Sequence, residues 1–252
     1  MKRLFFLALL LTALGPGLRA DVPVVLLAAA TDAELQPVLS RLTGVQTERR
    51  AAWTFWRGTL AGKEVVLTRT EGDPLNAVAA TTLAIRHYAP RLVITFGAAR
   101  AHDPALRPGD VVVSDRFAAF DGMYSSVTPG AGGINPLKWN PLPHLLMHPD
   151  EKEVPAVTFP ADAGLLALAQ KLHPARGRLL NGVLGSSAQV NREADRIAVL
   201  RAQWSTSCED GESAHVAGCA ELLGVPAFGL RVIDGTDGEA AELVRQLVEA
   251  MP

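Results

Sequence analysis

The side chains with chemistry to offer in this chain are carboxylates, and most of them fall in one stretch. Glu209, Asp210 and Glu212 follow Cys208, and the same stretch runs on to Asp234-Gly235-Thr236-Asp237-Gly238. A carboxyl group holds or releases its proton according to its surroundings, so acids sharing a cleft can divide proton donation and proton acceptance between them. An acidic residue just past the carboxyl end of a buried strand also stands where open α/β sheets build ligand sites. Glu34, which follows the first apolar run, is a further candidate. The plainer reading makes Glu209, Asp210 and Asp234 solvated loop residues, and makes Glu34 and Glu212 first-turn acids favoured by a helix dipole.

The elements that must hold these acids follow from pattern. Ser213 to Leu223 predicts a helix of small and apolar residues after a carboxylate-loaded loop, with Gly224 as its left-handed terminator and Pro226 as a stop. Ala227 to Ile233 predicts a buried strand ending at Asp234. Val22 to Ala30 predicts the first strand, and Ala33 to Leu42 a helix capped by Thr31 or Asp32. Trp53 to Leu60 and Lys63 to Arg69 predict a hairpin across Ala61-Gly62. Helices are predicted over Ala77 to Tyr88, Ala161 to Leu172 and Arg192 to Gln203, and strands over Leu92 to Phe96 and Arg178 to Leu184. Prolines from Pro129 to Pro155 punctuate residues 118–160, where no periodicity holds; such a long irregular segment inside a compact domain is usually functional or mobile. Within it Trp139 offers a ring for a base or an anchor for the segment, and His144 and His148 are a weak pair for a metal.

Several motifs run in a fixed order along these elements. Gly211-Glu212-Ser213 opens the helix, Val225-Pro226 makes a turn, and Arg231-Val-Ile-Asp234 ends the strand. Upstream stand Ala28 to Glu34, Gly97-Ala98-Ala99, the run Gly109-Asp110-Val-Val-Val-Ser114, and Gly185-Ser-Ser-Ala-Gln189-Val-Asn191. Over roughly residues 23 to 250 the chain resembles the purine nucleoside phosphorylase / methylthioadenosine–S-adenosylhomocysteine nucleosidase superfamily. The resemblance implies a single α/β domain, three-layered, with a central mixed, twisted sheet flanked by helices.

It also implies a reaction, the hydrolysis of the N-glycosidic bond of a nucleoside to free base and sugar, without a cofactor. Asp234 would protonate the departing base, which calls for a proton affinity raised at a partly buried strand end. Glu212 would accept the ribose hydroxyls and Glu34 would activate water, as in glycoside hydrolysis by paired carboxylates. Gly211, Gln189, Ala98 and Gly97 complete the implied binding set. Asp110 is expected to hold its turn.

The chain departs from the family pattern at five points. Asp234 follows Arg231 by three residues instead of four, which leaves Asp237 as the other candidate acid. Gly211 replaces a methionine that packs on the sugar, Gln189 an aromatic that stacks on the purine, and Ala98 a hydroxyl residue near the nucleophile. The arginine with which phosphorylases hold phosphate has Thr95 in its place, with Arg100 the one nearby substitute, so water is favoured over phosphate. The alternatives are a nucleoside- or base-binding protein on the same fold, or a phosphate-dependent phosphorylase. Family precedent implies a homodimer.

Composition agrees with one domain and excludes a nucleic-acid partner. The 252 residues are 48% hydrophobic, with 24 Lys+Arg against 26 Asp+Glu and no basic stripe. Lys2 and Arg3, the apolar run Leu4 to Leu14 and Gly15-Pro16-Gly17 before Ala20 predict a signal peptide over residues 1–20, ahead of a domain over 21–252. The protein is therefore expected in the periplasm or secreted, with no membrane association after cleavage. Cys208 and Cys219 are not expected to bridge, since eleven residues of helix separate α-carbons by roughly 16 Å and a disulfide spans about 7 Å at most. There is no zinc-type spacing.

Overall fold

The computed structural model describes residues 24–127, 132–147, 150, 152–235 and 238–252. The expected signal peptide, His148 and Asp237 lie outside them. In chain order the first elements are β1 (Val25–Ala29), α1 (Asp32–Leu39), β2 (Thr43–Arg50), β3 (Trp53–Leu60), β4 (Lys63–Arg69), α2 (Pro74–Tyr88), β5 (Leu92–Ala101) and β6 (Val111–Ala119). Short pieces follow: β7 (Met123–Tyr124) pairs with β8 (Asn140–Pro141), β9 (His144–Met147) pairs with β10 (Glu153–Ala156), and β11 (Phe159–Pro160) edges onto β6. The rest is α3 (Ala163–Ala169), β12 (Leu179–Ser186), α4 (Ala194–Trp204), β13 (Thr206–Asp210), α5 (Ser213–Leu222), β14 (Ala227–Ile233) and α6 (Glu239–Ala250).

Ten strands make one mixed sheet, as the resemblance implied. β1 runs parallel to both β4 and β5, while β14 runs parallel to β5 and antiparallel to β6. β6, β12, β13 and β5 also pair in succession, so these four and β14 close into a ring. One face is covered by α1, α3 and α6, whose Leu35, Leu165, Leu243 and Leu247 pack on Leu27, Ile94 and Leu230. The other is covered by α2 and α5 through Ala77, Ala84, Ala214 and Ala217. Those small side chains let two helices lie close to the sheet and to each other.

Several expectations need correction. The carboxylate "loop" before α5 is largely the strand β13, so Cys208, Glu209 and Asp210 are sheet residues, and Cys208 is fully buried. Backbone pairing with β12 and β5 stabilises this segment despite its acids. The strand expected to stop at Phe96 continues to Ala101, which makes Gly97, Ala98 and Arg100 strand residues. β2 arises from a polar stretch with no apolar face of its own, held by its antiparallel pairing with β3. The helix expected over Ala161 to Leu172 is confined to Ala163–Ala169, where Asp162 caps its start by accepting from Leu165 N at 2.7 Å. Cys208 and Cys219 are both free thiols.

Candidate active site

β5 changes partners part-way along its length. Leu92 to Phe96 pair with β1, whereas Arg100 and Ala101 pair with β13. Between them, at Gly97 and Ala98, β1 has ended and a gap opens beside β5, just past the carboxyl end of β1. Glu34 fills it. Its Oε1 accepts from Ala98 N at 2.7 Å, and its Oε2 from Ala30 N at 3.1 Å and Thr31 N at 3.2 Å. Thr31 in turn caps α1 by accepting from Glu34 N, a reciprocal capping box. Gly97 is obligatory, because a Cβ there would stand 2.2 Å from Glu34 Oε1.

A buried ionic centre lies beside this carboxylate. Arg231, from the middle of β14, is 1% exposed. It donates from Nε to Asp210 Oδ2 at 2.9 Å and from Nη2 to Thr95 Oγ1 at 2.8 Å, and Nη2 also stands 3.6 Å from Glu212 Oε1. Asp210 also accepts from the backbone N–H groups of Glu212 and Ser213, both at 2.7 Å, and so caps α5. Burial works against its charge, but the Arg231 guanidinium and these donors outweigh it and hold the carboxyl below its usual range. Glu212 fares differently. Burial, together with the negative charges of Asp210 and Glu34, pushes it up to about 8 against the opposing pull of Arg231. One guanidinium serves Asp210, and Glu212 keeps its proton at neutral pH.

Glu212 is also covered. It is 1% exposed, and its Oε2 has no hydrogen-bond partner among the described residues. Gly72 closes over it: a Cβ on Gly72 would be 3.5 Å from Oε2, and a Cβ on Gly211 would be 2.3 Å from Gly72 O. Gly211 therefore accommodates the turn at Gly72, in room that the family's methionine would need.

The cleft proper opens on the other side of Ala98. It measures ≈ 390 Å³ and is walled by Gly72–Pro74, Ala98–Arg100, Ser187–Val190, Glu209–Gly211 and Asp234. Ala98 is shared with a smaller cavity of ≈ 90 Å³ that contains Glu34, Gly97 and Gly235. The cleft brings together Asp234, Gln189, Gly211 and Ala98; Glu34 lines the smaller cavity instead, bonded to Ala98 N, and Glu212 lies against Gly72. Asp234 departs from expectation in one respect. It is exposed, at φ +43 with its N–H bonded to Ala99 O at 3.0 Å, so the partial burial expected for a general acid is missing. Trp139 is half-buried with its carbonyl accepting from Gln203, and does not line the cleft. Asp110 does hold its turn, accepting from Arg107 N at 3.0 Å and Arg178 N at 2.8 Å. No cluster of three or more metal-ligating side chains occurs among the described residues.

Sequence reasoning named Asp210 and Thr95 without giving either a part in a buried ionic centre, gave Gly72 no role, and gave Arg231 none beyond its place in a motif. The signal for Arg231 was present, since a cation inside the apolar run Ala227 to Ile233 must meet a buried anion. Nothing local marked Gly72, whose role comes from residues far along the chain.

A mixed sheet between two helical layers, with carboxylates gathered where β1 and β5 part, defines an α/β protein that binds its ligand at the carboxyl ends of the strands. The chain belongs to the phosphorylase superfamily, whose signature matches residues 24–251. A 5'-methylthioadenosine/S-adenosylhomocysteine nucleosidase of Marinomonas sp. is 28% identical over 221 residues, 86% of this chain and 87% of that protein. One of Tolumonas auensis is 39% identical over a shorter segment of 92 residues, 36% of this chain and 40% of that protein. The crystal structure of S-adenosylhomocysteine nucleosidase from Streptococcus pyogenes with 5-methylthiotubericidin superposes with a TM-score of 0.75 over 93% of this chain and 99% of that one, at 17% identity.

Proposed function

We propose that the protein hydrolyses the N-glycosidic bond of a nucleoside, releasing free base and sugar. The observation that carries this reading is the fixed Glu34 carboxylate, held at Ala98 N where the small cavity and the cleft adjoin. A carboxylate so placed activates a water for attack on the sugar carbon. Asp234, or Asp237, protonates the leaving base. Glu212 meets the sugar hydroxyls once the turn at Gly72 gives way. The names of the Marinomonas and Tolumonas relatives point to 5'-methylthioadenosine or S-adenosylhomocysteine as substrate, and Gln189 in place of a stacking ring weakens the case for a purine. Water is favoured over phosphate because Thr95, where a phosphate arginine would stand, is buried and engaged by Arg231, and Ala98 N is already taken by Glu34.

The second reading, a nucleoside-binding protein without turnover, is favoured by the exposure of Asp234 and the covering of Glu212. Export follows from the pattern of residues 1–20. A homodimer is supported by exposed apolar side chains on α2 (Leu75, Val78), at the end of α5 (Leu222 and the capping Leu223) and on β9 (Leu145, Met147). The test is base release from a panel of nucleosides that includes methylthioadenosine, with and without phosphate. Phosphate-independent release that Glu34→Gln abolishes supports hydrolysis. A nucleoside that raises the melting temperature without being cleaved points to the binding protein.

A further inference from the structure

The loop Ser187–Asn191 walls one side of the cleft and contains Gln189 and Val190, both exposed. It has no regular structure, yet it is held at both ends by carboxylates that the proposed reaction does not use. Ala188 N donates to Asp121 Oδ1 at 2.8 Å. Asn191 N donates to Glu209 Oε1 at 3.0 Å, and its Nδ2 to Glu209 Oε2 at 2.9 Å. Each carboxylate is met in turn by an imidazole: His215 Nε2 lies 2.5 Å from Asp121 Oδ2, and His102 Nε2 lies 2.7 Å from Glu209 Oε2.

The two couples draw on different parts of the fold. Asp121 follows β6 and His215 rides on α5, whereas His102 follows β5 and Glu209 sits on β13. At the second couple His102, Glu209 and Asn191 are all within 5% exposure, and His102 Nδ1 is engaged by Thr206 Oγ1 at 2.8 Å. The imidazole thus has no other orientation open to it and keeps the carboxylate aimed at the loop. At the first couple burial opposes the charge on Asp121, but the bonds from His215 and Ala188 prevail and keep the carboxyl ionised. His215 Nδ1 is buried with no hydrogen-bond partner among the described residues, and its Nε2 faces Asp121.

We propose that Asp121 and Glu209 are positioning residues, each oriented by its histidine, which hold the 187–191 loop ready to receive the base of the ligand. This rests on reading the cleft as the nucleoside site. Ordering a free loop costs about 1–2 kcal/mol per residue, so a loop ordered in advance spares that cost at binding. An interaction of this kind is made equally in the bound and transition states, and its loss raises KM more than it lowers kcat.

The test uses the full chain with Asp121→Asn and Glu209→Gln, close isosteres that turn an acceptor oxygen into a donor. Amide hydrogen exchange reads the loop directly. Exchange at Ala188 rises about tenfold or more in the first variant and at Asn191 in the second, the scale expected for losing a hydrogen bond to a charged group. Amides of β12 and β14 stay at wild-type rates. KM for a cleaved nucleoside rises by about the same factor, with a smaller change in kcat. His102→Gln, which can still donate to Glu209, behaves closer to wild type than His102→Leu. Unchanged exchange at Ala188 and Asn191 overturns the proposal, as does exchange rising alike throughout β12 and β14, or kcat falling as far as kcat/KM. If the wild type cleaves no nucleoside, the functional reading fails, and the exchange rates still decide the role of the clamp.

Discussion

Arg231 and Asp234 lie three residues apart on one segment of chain, yet their surroundings could hardly differ more. Arg231 is enclosed by Asp210, Thr95 and Glu212, each from a different element. Asp234 sits in solvent at the cleft rim, where Arg100 and Gln189 line the same cleft. The enclosed centre keeps Arg231 and Glu212 at their motif positions with Thr95 as its one departure, and the rim carries the shortened spacing at Asp234, Gln189 for an aromatic and Ala98 for a hydroxyl. A buried charge ties its neighbours to it, because removing one member leaves another unpaired in low dielectric. A rim residue answers only to the ligand, so it is free to change.

That contrast sets the scale of what substitutions should do. Arg231→Met strips the partner from a buried carboxylate and should cost about 3–5 kcal/mol of stability, read from the midpoint of urea unfolding; a loss below about 1 kcal/mol would mean the centre is not held ionically. Asp234→Asn should do the reverse. The rim has no structural need of the charge, and Asn tolerates the left-handed backbone there, so stability should move by less than about 0.5 kcal/mol. Base release should fall about 10²–10⁴-fold. Full activity in that variant would transfer the acid role to Asp237. Gln189→Phe should tighten nucleoside binding by about 1 kcal/mol or more through restored stacking, a gain titration calorimetry can resolve; no gain would place the base elsewhere.

A further effect is a pH dependence inside the enclosed centre. The unfolded chain gives up the Glu212 proton near its ordinary 4.5, whereas the folded chain keeps it to about 8. The folded state binds more protons in that window, so this group's contribution to stability declines as pH rises from 4.5 to 8. Asp210, held below its ordinary value, acts oppositely: its contribution is present above 3.8 and is lost as pH falls further. Melting temperature measured across pH 5 to 8 should show a downward slope that Glu212→Gln flattens, and an unchanged slope would remove Glu212 as its source.

How much of this was legible in the sequence depended on how local the determining interaction was. The hairpin β3–β4 and the strand β14 match their expected limits, because alternation, Ala61-Gly62 and Pro226 act over a few residues. Glu34 and Asp234 were found as acids beside strand ends. β2 and the acidic strand β13 were not legible, since each depends on pairing with a strand distant in sequence. The covering of Glu212 by Gly72 was invisible for the same reason, as was the Asp121 and Glu209 clamp.

The sequence by itself determined the alternation of strands and helices, the capping of α1 by Thr31, and the family to which the chain belongs. Those rest on periodicity, turn residues and motif order, which are properties of neighbours. Only the tertiary structure decided that Arg231 serves Asp210 and leaves Glu212 protonated, that Asp234 stands exposed, and that two carboxylate–histidine couples hold the loop at Gln189. Burial and charge pairing arise between residues that meet only when the chain folds, and the proton held by a carboxyl group depends on those meetings.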